Sequence, residues 1–369
     1  MANVEIPTIA PGGAPWMPRR RWRVLFIRKR RHSYWGPAEH LATDLSSGLG
    51  NSVSFLVDML AGLGVAAKAV EVVDNNAIDR EVASFAATHA IVEALWVVPE
   101  KFDVLTRLHP RVQWIVRTHS QAPFLAGEGI ATAWIAGYLQ RGIEIMCNSA
   151  EAQAEIKAMA TDFGHSESLV SLGSNYYPIP GQSAVRPHRP VANGEVHIGC
   201  FGAIRPLKNH LAQAIAAISF ANLAGLKLRF HINSGRLEGD ASPILRNLRG
   251  LFAASAGSRH LLVEHGWMSH AEFLATLAAA TDIAMQASFS ETFNIVSADS
   301  AAVGLPVIAS PSIPWIGGYA QVAAGDVVGL ERALHAVWGV DLHRRLAQQS
   351  NDLTAWSMAS RATWSARFS

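Results

Sequence analysis

Residues Asp282–Ser310 read DIAMQASFSETFNIVSADSAAVGLPVIAS, and the order of apolar, small and turn-forming residues in them decides the fold. Ile283–Met285 has the character of a short buried strand, and Ala287–Ser290 of a loop. A helix is expected to start near Thr292, a good N-cap type, and to stop at Gly304. Phe293, Ile295, Val296, Ala298 and Ala302 supply its packing face, and a second buried strand begins at Pro306. A helix that starts just past a strand end turns unpaired N–H groups and the positive end of its dipole towards an anion. Glu291 in the loop and Asp299 on the helix do not suit a phosphate. They suit the hydroxyls of a sugar and a ribose, from which carboxylates accept hydrogen bonds.

The same alternation extends outward in both directions. Upstream lie His197–Phe201, Leu226–Ile232 and Leu261–Val263, each a short apolar run followed by helical periodicity. Before them, Asn175–Gly194 carries four prolines in twenty residues and can continue neither element, so it reads as a linker. Further towards the N-terminus come Val24–Ile27, Ala69–Val73, Ala90–Val92, Val112–Val116 and Glu144–Cys147. Val53, Leu56, Val57 and Leu60 mark an amphipathic helix with Asn51 and Ser52 as caps. Strands alternating with helices mean parallel sheets covered on both faces. The expected organisation is a lead-in over 1–20, an α/β domain over 21–175, a linker over 176–195, a second α/β domain over 196–340 and a helix over 341–369. Two such halves leave a cleft between the carboxyl ends of their sheets, where open α/β folds bind ligands.

Bulk properties agree. At 369 residues the chain is long enough for about two domains of about 150 residues each. Half the residues are apolar and 16% charged, which excludes a disordered chain. Thirty-one basic against 29 acidic residues exclude a global polycation. Cys147 and Cys200 are too few for a disulfide framework or a four-cysteine zinc site, so a reducing, cytoplasmic setting is expected. No basic segment followed by a long apolar run opens the chain, and no stretch approaches the ~18 apolar residues of a membrane span.

Glu291, Thr292, Phe293, Asn294, Ile295, Val296, Ser297, Ala298 and Asp299, followed by Gly304-Leu305-Pro306-Val307-Ile308, resemble the E-x7-E cassette of retaining glycosyltransferases of the GT-B architecture. That cassette usually reads E-G-F-G-L-P-x-x-E-A. The resemblance implies the GT-B fold, two Rossmann-like domains facing across a cleft, with a nucleotide-sugar donor held by the C-terminal one. It implies that Glu291 contacts the donor sugar, Asp299 the ribose, and the backbone amides at Asn294–Ile295 the distal phosphate, with Phe293 also in the donor site. Asp299 is one methylene shorter than the usual Glu, and Thr292 and Asn294 stand where the pattern has glycine.

Ile198-Gly199-Cys200-Phe201-Gly202-Ala203-Ile204-Arg205-Pro206-Leu207-Lys208 is similar to the first strand and glycine turn of the family's donor domain. Gly202 lets a substrate approach the backbone. Arg205 and Lys208 would offset charge on a departing nucleoside diphosphate. A helix start disfavours cations, which argues against an incidental pair. In the N-terminal half, Gly48-Leu49-Gly50-Asn51 fits the family's glycine loop bordering the donor phosphates. His119, just past a strand end, fits its functional histidine near the reacting sugar. Asn148-Ser149 also follows a strand and reads mainly as helix capping. The C-terminal helix is expected to pack back on the N-terminal domain, as in relatives.

Arg19, Arg20, Arg21, Arg23, Arg28, Lys29, Arg30 and Arg31 gather eight cations around the first strand, with His32, Tyr34 and Trp35 directly after. Cations beside aromatic rings suit a polyanion whose bases or sugars rest on the rings. Arg28, Lys29, Arg30, Arg31, Tyr34 and Trp35 are therefore candidate acceptor-binding residues, and DNA is a candidate acceptor. Some enzymes of this architecture glycosylate hydroxymethylated bases in phage DNA, which requires flipping the base out. A glycan, lipid or small-molecule acceptor is the alternative, as is a solvated arm. The expected reaction is sugar transfer to a hydroxyl with retention and without an obligatory metal or other cofactor. A Rossmann oxidoreductase is the rival from another class, but Val24–Ile27 leads into Arg-Lys-Arg-Arg rather than G-x-G-x-x-G. A non-catalytic sugar- or nucleic-acid-binding protein on the same scaffold is the other.

Overall fold

The computed structural model of the chain describes residues 22–30, 47–178, 194–255, 259–338 and 342–369. Six strands form the first sheet: β1 (Arg23–Lys29), β2 (Ala66–Val72), β3 (His89–Glu93), β4 (Gln113–Thr118), β5 (Glu144–Cys147) and β6 (Val170–Leu172). Five form the second: β7 (Glu195–Gly199), β8 (Lys227–Asn233), β9 (Leu261–His265), β10 (Ile283–Gln286) and β11 (Val307–Ala309). Every pairing is parallel.

The two sheets wind differently. The first runs β2-β1-β3-β4-β5-β6, so the chain reverses direction across the sheet between β1 and β3. The second, read from its far edge, runs β9-β8-β7-β10-β11 and reverses between β7 and β10. Both are doubly wound orders, and a crevice opens at the carboxyl ends of the strands flanking each reversal. The residues after β7 and β10 are those the sequence singles out as donor-binding.

Burial on both faces follows from the alternation. Leu25 and Ile27 of β1 pack with Phe102, Trp114 and Tyr138, while Val24 and Phe26 pack on the opposite face with Leu56, Leu60 and Trp364. In the second half Ile198, Phe230 and Met285 meet Phe220, Leu248 and Leu330, and Ala284 and Val307 meet Phe293, Trp315 and Leu353. Among the described residues no helix is long and apolar enough to cross a membrane.

Among the described residues the chain crosses between the halves at two places. Tyr176 packs with the first half and Tyr177 with the second. The final helix, His343–Arg367, spans both. Its Gln349 bonds the backbone N–H of Val307 and the carbonyl of Leu305 in the second half. Farther along the same helix, Trp356 donates to the Asn175 carbonyl, and Ser360 and Trp364 donate to that of Ser174.

Some local readings change. Strand β6 went unrecognised, because Val-Ser-Leu is too short to show a period. The first long helix runs Gly48–Gly62, capped by Ser47, whose side chain accepts from the Gly50 N–H. Gly48 and Gly50 are thus in its first turn and not in a loop before it, and Asn51 and Ser52 are not its caps. The cassette helix runs Ile295–Ala302 with Asn294 as its cap, not Thr292. Residues 1–20, Arg31, Tyr34, Trp35 and most of the expected linker lie outside the described residues.

Candidate active site

The turn after β7 and the loop after β10 are pinned together by side-chain amides. Gln286 donates to the Phe201 carbonyl, and Asn233 accepts from the Gly202 N–H. Gly202 has φ +111°, a conformation that glycine adopts and other residues resist. Asn209, itself at φ 57°, donates to the carbonyls of Ala287 and Ala324, and Gln213 accepts from Ala287 N–H while donating to the Lys208 carbonyl. A backbone bond from Phe289 N–H to the Leu207 carbonyl completes the brace.

This brace brings Arg205 and Lys208 to Glu291. The Lys208 ammonium forms an ion pair with Glu291, and an Arg205 guanidinium nitrogen lies 3.8 Å from the same carboxylate oxygen. Both partners of the lysine pair are largely buried, with side-chain exposures of 11% and 7%. Burial pushes the Glu291 carboxyl up, but the charges of Lys208 and Arg205 overcome that and hold it below the usual range. Burial pulls the Lys208 ammonium down against the pull of Glu291. Arg205 also lies 3.8 Å from Glu238 and sits over the ring of Phe124, from the first half, at 5.1 Å.

Asn294 takes φ 60°, which asparagine tolerates better than most residues. Its side chain accepts from Ser297 N–H and donates to Gln286. Phe293 is buried, and its carbonyl accepts from Trp315 Nε1. Asp299 lies on the cassette helix. It is 1% exposed, and one of its oxygens accepts from both Tyr177 Oη, at 2.9 Å, and His270 Nε2, at 2.8 Å.

The hydrogen bond to Asp299 raises the His270 imidazole above its ordinary value, with burial pulling the other way. Burial raises the Asp299 carboxyl as well, so the pair adds its stability in a window below about pH 6.5 where Asp299 is still ionised, and loses it as pH climbs through the raised imidazole value. His270→Gln is therefore expected to lower the melting temperature more at about pH 6 than at about pH 9. Equal losses at both would show that the pair carries no charge.

In the first half, the ends of β3, β4 and β5 assemble a second buried group. Glu93 and Arg117 have no side-chain exposure and approach to 3.3 Å. Arg117 also donates to the Gly173 carbonyl at 3.0 and 2.9 Å and to Asn175 Oδ1. His119 Nε2 meets Glu93 Oε2 at 2.5 Å, and His119 Nδ1 lies 3.1 Å from the amide nitrogen of Asn148. Burial drives the Glu93 carboxyl up, and the Arg117 and His119 charges hold it down. Burial and Arg117 lower the His119 imidazole, against the pull of Glu93. Both ring nitrogens of His119 are thus engaged by protein.

The halves meet at these groups. A Cβ on Gly48 would lie 3.2 Å from Ile295 Cγ2, so the starts of the helices Gly48–Gly62 and Ile295–Ala302 abut. A Cβ on Gly50 would lie 2.5 Å from the Arg28 guanidinium, which pairs with Glu71 at 3.0 Å. Lys29 and Arg30 are exposed at the end of β1. The sequence-predicted residues Glu291, Arg205 and Lys208 therefore cluster, with Gly202, Asn294 and Ile295 around them, and Asp299 lies on the helix that follows. Glu93, Arg117 and Gln286 were missed. The available signal was their place at or near the carboxyl end of a strand. Of the pair Asn148-Ser149, expected to cap a helix, Ser149 does the capping and Asn148 faces His119.

No known protein family and no curated protein matches the sequence. Solved structures do match by shape. Sucrose-phosphate synthase from Thermosynechococcus elongatus aligns with a TM-score of 0.68 and 16% identity over 94% of this chain and 98% of that one. The UDP-forming α,α-trehalose-phosphate synthase from Burkholderia vietnamiensis gives 0.66 and 11% over 94% and 96%. Anabaena HepE, solved with UDP and glucose, gives 0.61 and 13% over 94% and 100%. At these identities the likeness establishes the fold. The α/β, two-domain GT-B architecture expected from the cassette is the one observed.

Proposed function

We propose that the chain is a glycosyltransferase that moves a sugar from a nucleoside-diphosphate sugar to a hydroxyl acceptor. The observation that carries this reading is the Lys208–Glu291–Arg205 cluster at the crevice between β7 and β10. Two cations and a carboxylate held together there match the two ends of such a donor. The cations offset charge on the departing diphosphate, and the carboxylate accepts from sugar hydroxyls. The abutting helix starts at Gly48 and Ile295 add a positive potential for the same anion. The transition state has oxocarbenium character, and transfer proceeds with retention and without an obligatory metal. Names of the shape-matched proteins support a sugar donor, UDP among its carriers.

A panel of nucleotide sugars tests this by thermal shift, followed by mass spectrometry of products with DNA, glycan and small hydroxyl acceptors. No shift with any donor would overturn the reading. Donor binding with no product from any acceptor would favour a binding protein on this scaffold.

The acceptor we propose is a hydroxyl on a polyanion, with hydroxymethylated DNA as the specific case. Exposed Lys29 and Arg30 support it, while Arg28 is engaged by Glu71. Neutralising Lys29 and Arg30 is expected to weaken acceptor binding and to flatten its salt dependence, by about one slope unit for each phosphate that goes without a cation. An unchanged, salt-insensitive affinity would reduce the patch to a solvated arm.

A further inference from the structure

Thr292 stands next to Glu291, is 5% exposed, and reaches across to the other half of the molecule. Its hydroxyl oxygen lies 3.0 Å from the His119 carbonyl and 2.8 Å from Asn148 Nδ2. Asn148 Nδ2 in turn lies 3.1 Å from His119 Nδ1. The three residues close a ring of hydrogen bonds from β10's loop to the ends of β4 and β5.

With His119 neutral, as its burial and Arg117 favour, one consistent arrangement of protons runs round this ring, and Asn148 Oδ1 stays outside it. Glu93 sits against Arg117 and is held ionised, so His119 Nε2 must carry the proton that points at it. The neutral imidazole then has a lone pair at Nδ1, which requires the NH2 of Asn148 to face it. The second hydrogen of that NH2 goes to the threonine oxygen, and the threonine proton goes to the His119 carbonyl. Each donor has one acceptor, and none is doubled. A glycine at 292 could make neither bond, nor could valine, which has the shape of threonine without the hydroxyl.

We propose that the Thr292 hydroxyl is an interdomain latch, which holds the halves closed and, in closing, positions His119 beside Glu291. The latch itself is independent of what the enzyme transfers. The positioning of His119 for transfer rests on the glycosyltransferase reading. Because Thr292 and Glu291 are consecutive, closure, the orientation of the imidazole and the delivery of the carboxylate become one event. Ser290, whose hydroxyl lies 3.4 Å from Gln121 Oε1 in the first half, adds a weaker contact at the same seam.

The test compares Thr292→Val, which removes the hydroxyl, with Thr292→Ser, which keeps it. Cys147 and Cys200 are buried, so spin labels can be directed to Leu108→Cys in the first half and Leu223→Cys in the second, both well exposed. Distances across the pair are measured on the purified full chain without added nucleotide. A single narrow distribution is expected for the parent and Thr292→Ser, and a second population at changed separation for Thr292→Val. A Thr292→Val distribution identical to the parent would overturn the latch. With the donor identified by the panel, kcat/KM should fall about tenfold in Thr292→Val, in proportion to the lost closed fraction, and stay within about twofold in Thr292→Ser. Altered distances with unchanged kcat/KM would overturn the positioning role alone. Absence of transfer by the parent chain would overturn the glycosyltransferase reading and leave the distance measurement to judge the latch.

Discussion

Glu291→Gln is expected to cut sugar transfer by about 100- to 1,000-fold, the range associated with losing one preorganised group at a reacting centre. The side chain keeps its shape, so a steric explanation is removed. Its charge is lost, and with it the counter-ion of a lysine that is only 11% exposed. Losing one partner of a buried pair costs about 3–5 kcal/mol when the other stays charged. Lys208 softens the cost by giving up its proton more readily, since burial already pulls its ammonium down. The single variant should therefore melt earlier than the parent, and the deficit should shrink at alkaline pH. Combining Glu291→Gln with Lys208→Met removes both charges and should recover most of the stability while leaving transfer no higher than in the single variant. Product formation followed by mass spectrometry, alongside melting temperature, separates the two effects. Near-normal turnover by a folded Glu291→Gln protein would end the assignment of this residue.

The second large effect concerns stability. Glu93→Gln leaves Arg117 charged, wholly buried and without its carboxylate, at an expected cost of about 3–5 kcal/mol. Arg117 would still bond the Gly173 carbonyl and Asn175, so the loss should fall at the lower end of that range. His119 would keep an acceptor in the new amide oxygen but lose the charge that pulls its imidazole up. Urea unfolding of the parent and variant reads the cost directly as a shift of midpoint at constant slope. A shift equivalent to less than about 1 kcal/mol would place the pair among those that contribute little to stability.

Much of the architecture was legible because a buried parallel strand must be a short apolar run. Val24–Ile27, Glu144–Cys147 and Ile283–Met285 announce themselves in that way, and the observed strands overlap them. Leu261–Val263 and the run from Pro306 do so too, against observed strands Leu261–His265 and Val307–Ala309. Val170–Leu172 did not, since three residues carry no period. The cluster of Glu291 with Lys208 was reachable through motif resemblance, yet nothing local predicts that they touch. That contact is made by Gln286, Asn209 and Gln213, polar residues that look like ordinary surface positions until the fold buries them. The same holds for Asp299. Its spacing from Glu291 suggests a ligand-facing carboxylate, and nothing local announces that Tyr177 and His270, from distant segments, bond it as well. Nothing near Glu93 in the sequence marks it out, and only the three-dimensional arrival of Arg117 and His119 gives it partners.

The crossings at Tyr176–Tyr177 and at the middle of the last helix are tied to each other by the bond from Trp356 to the Asn175 carbonyl. Any rotation of one half against the other that keeps this bond must pivot near it, and any sliding past it must break it. Arg117 stands over the ring of Trp364 at 5.6 Å, so any wobble of the final helical turns would reach the Glu93–His119 pair within one side chain. A substitution that shifts Trp364 would therefore be felt at the Glu93–His119 pair through Arg117.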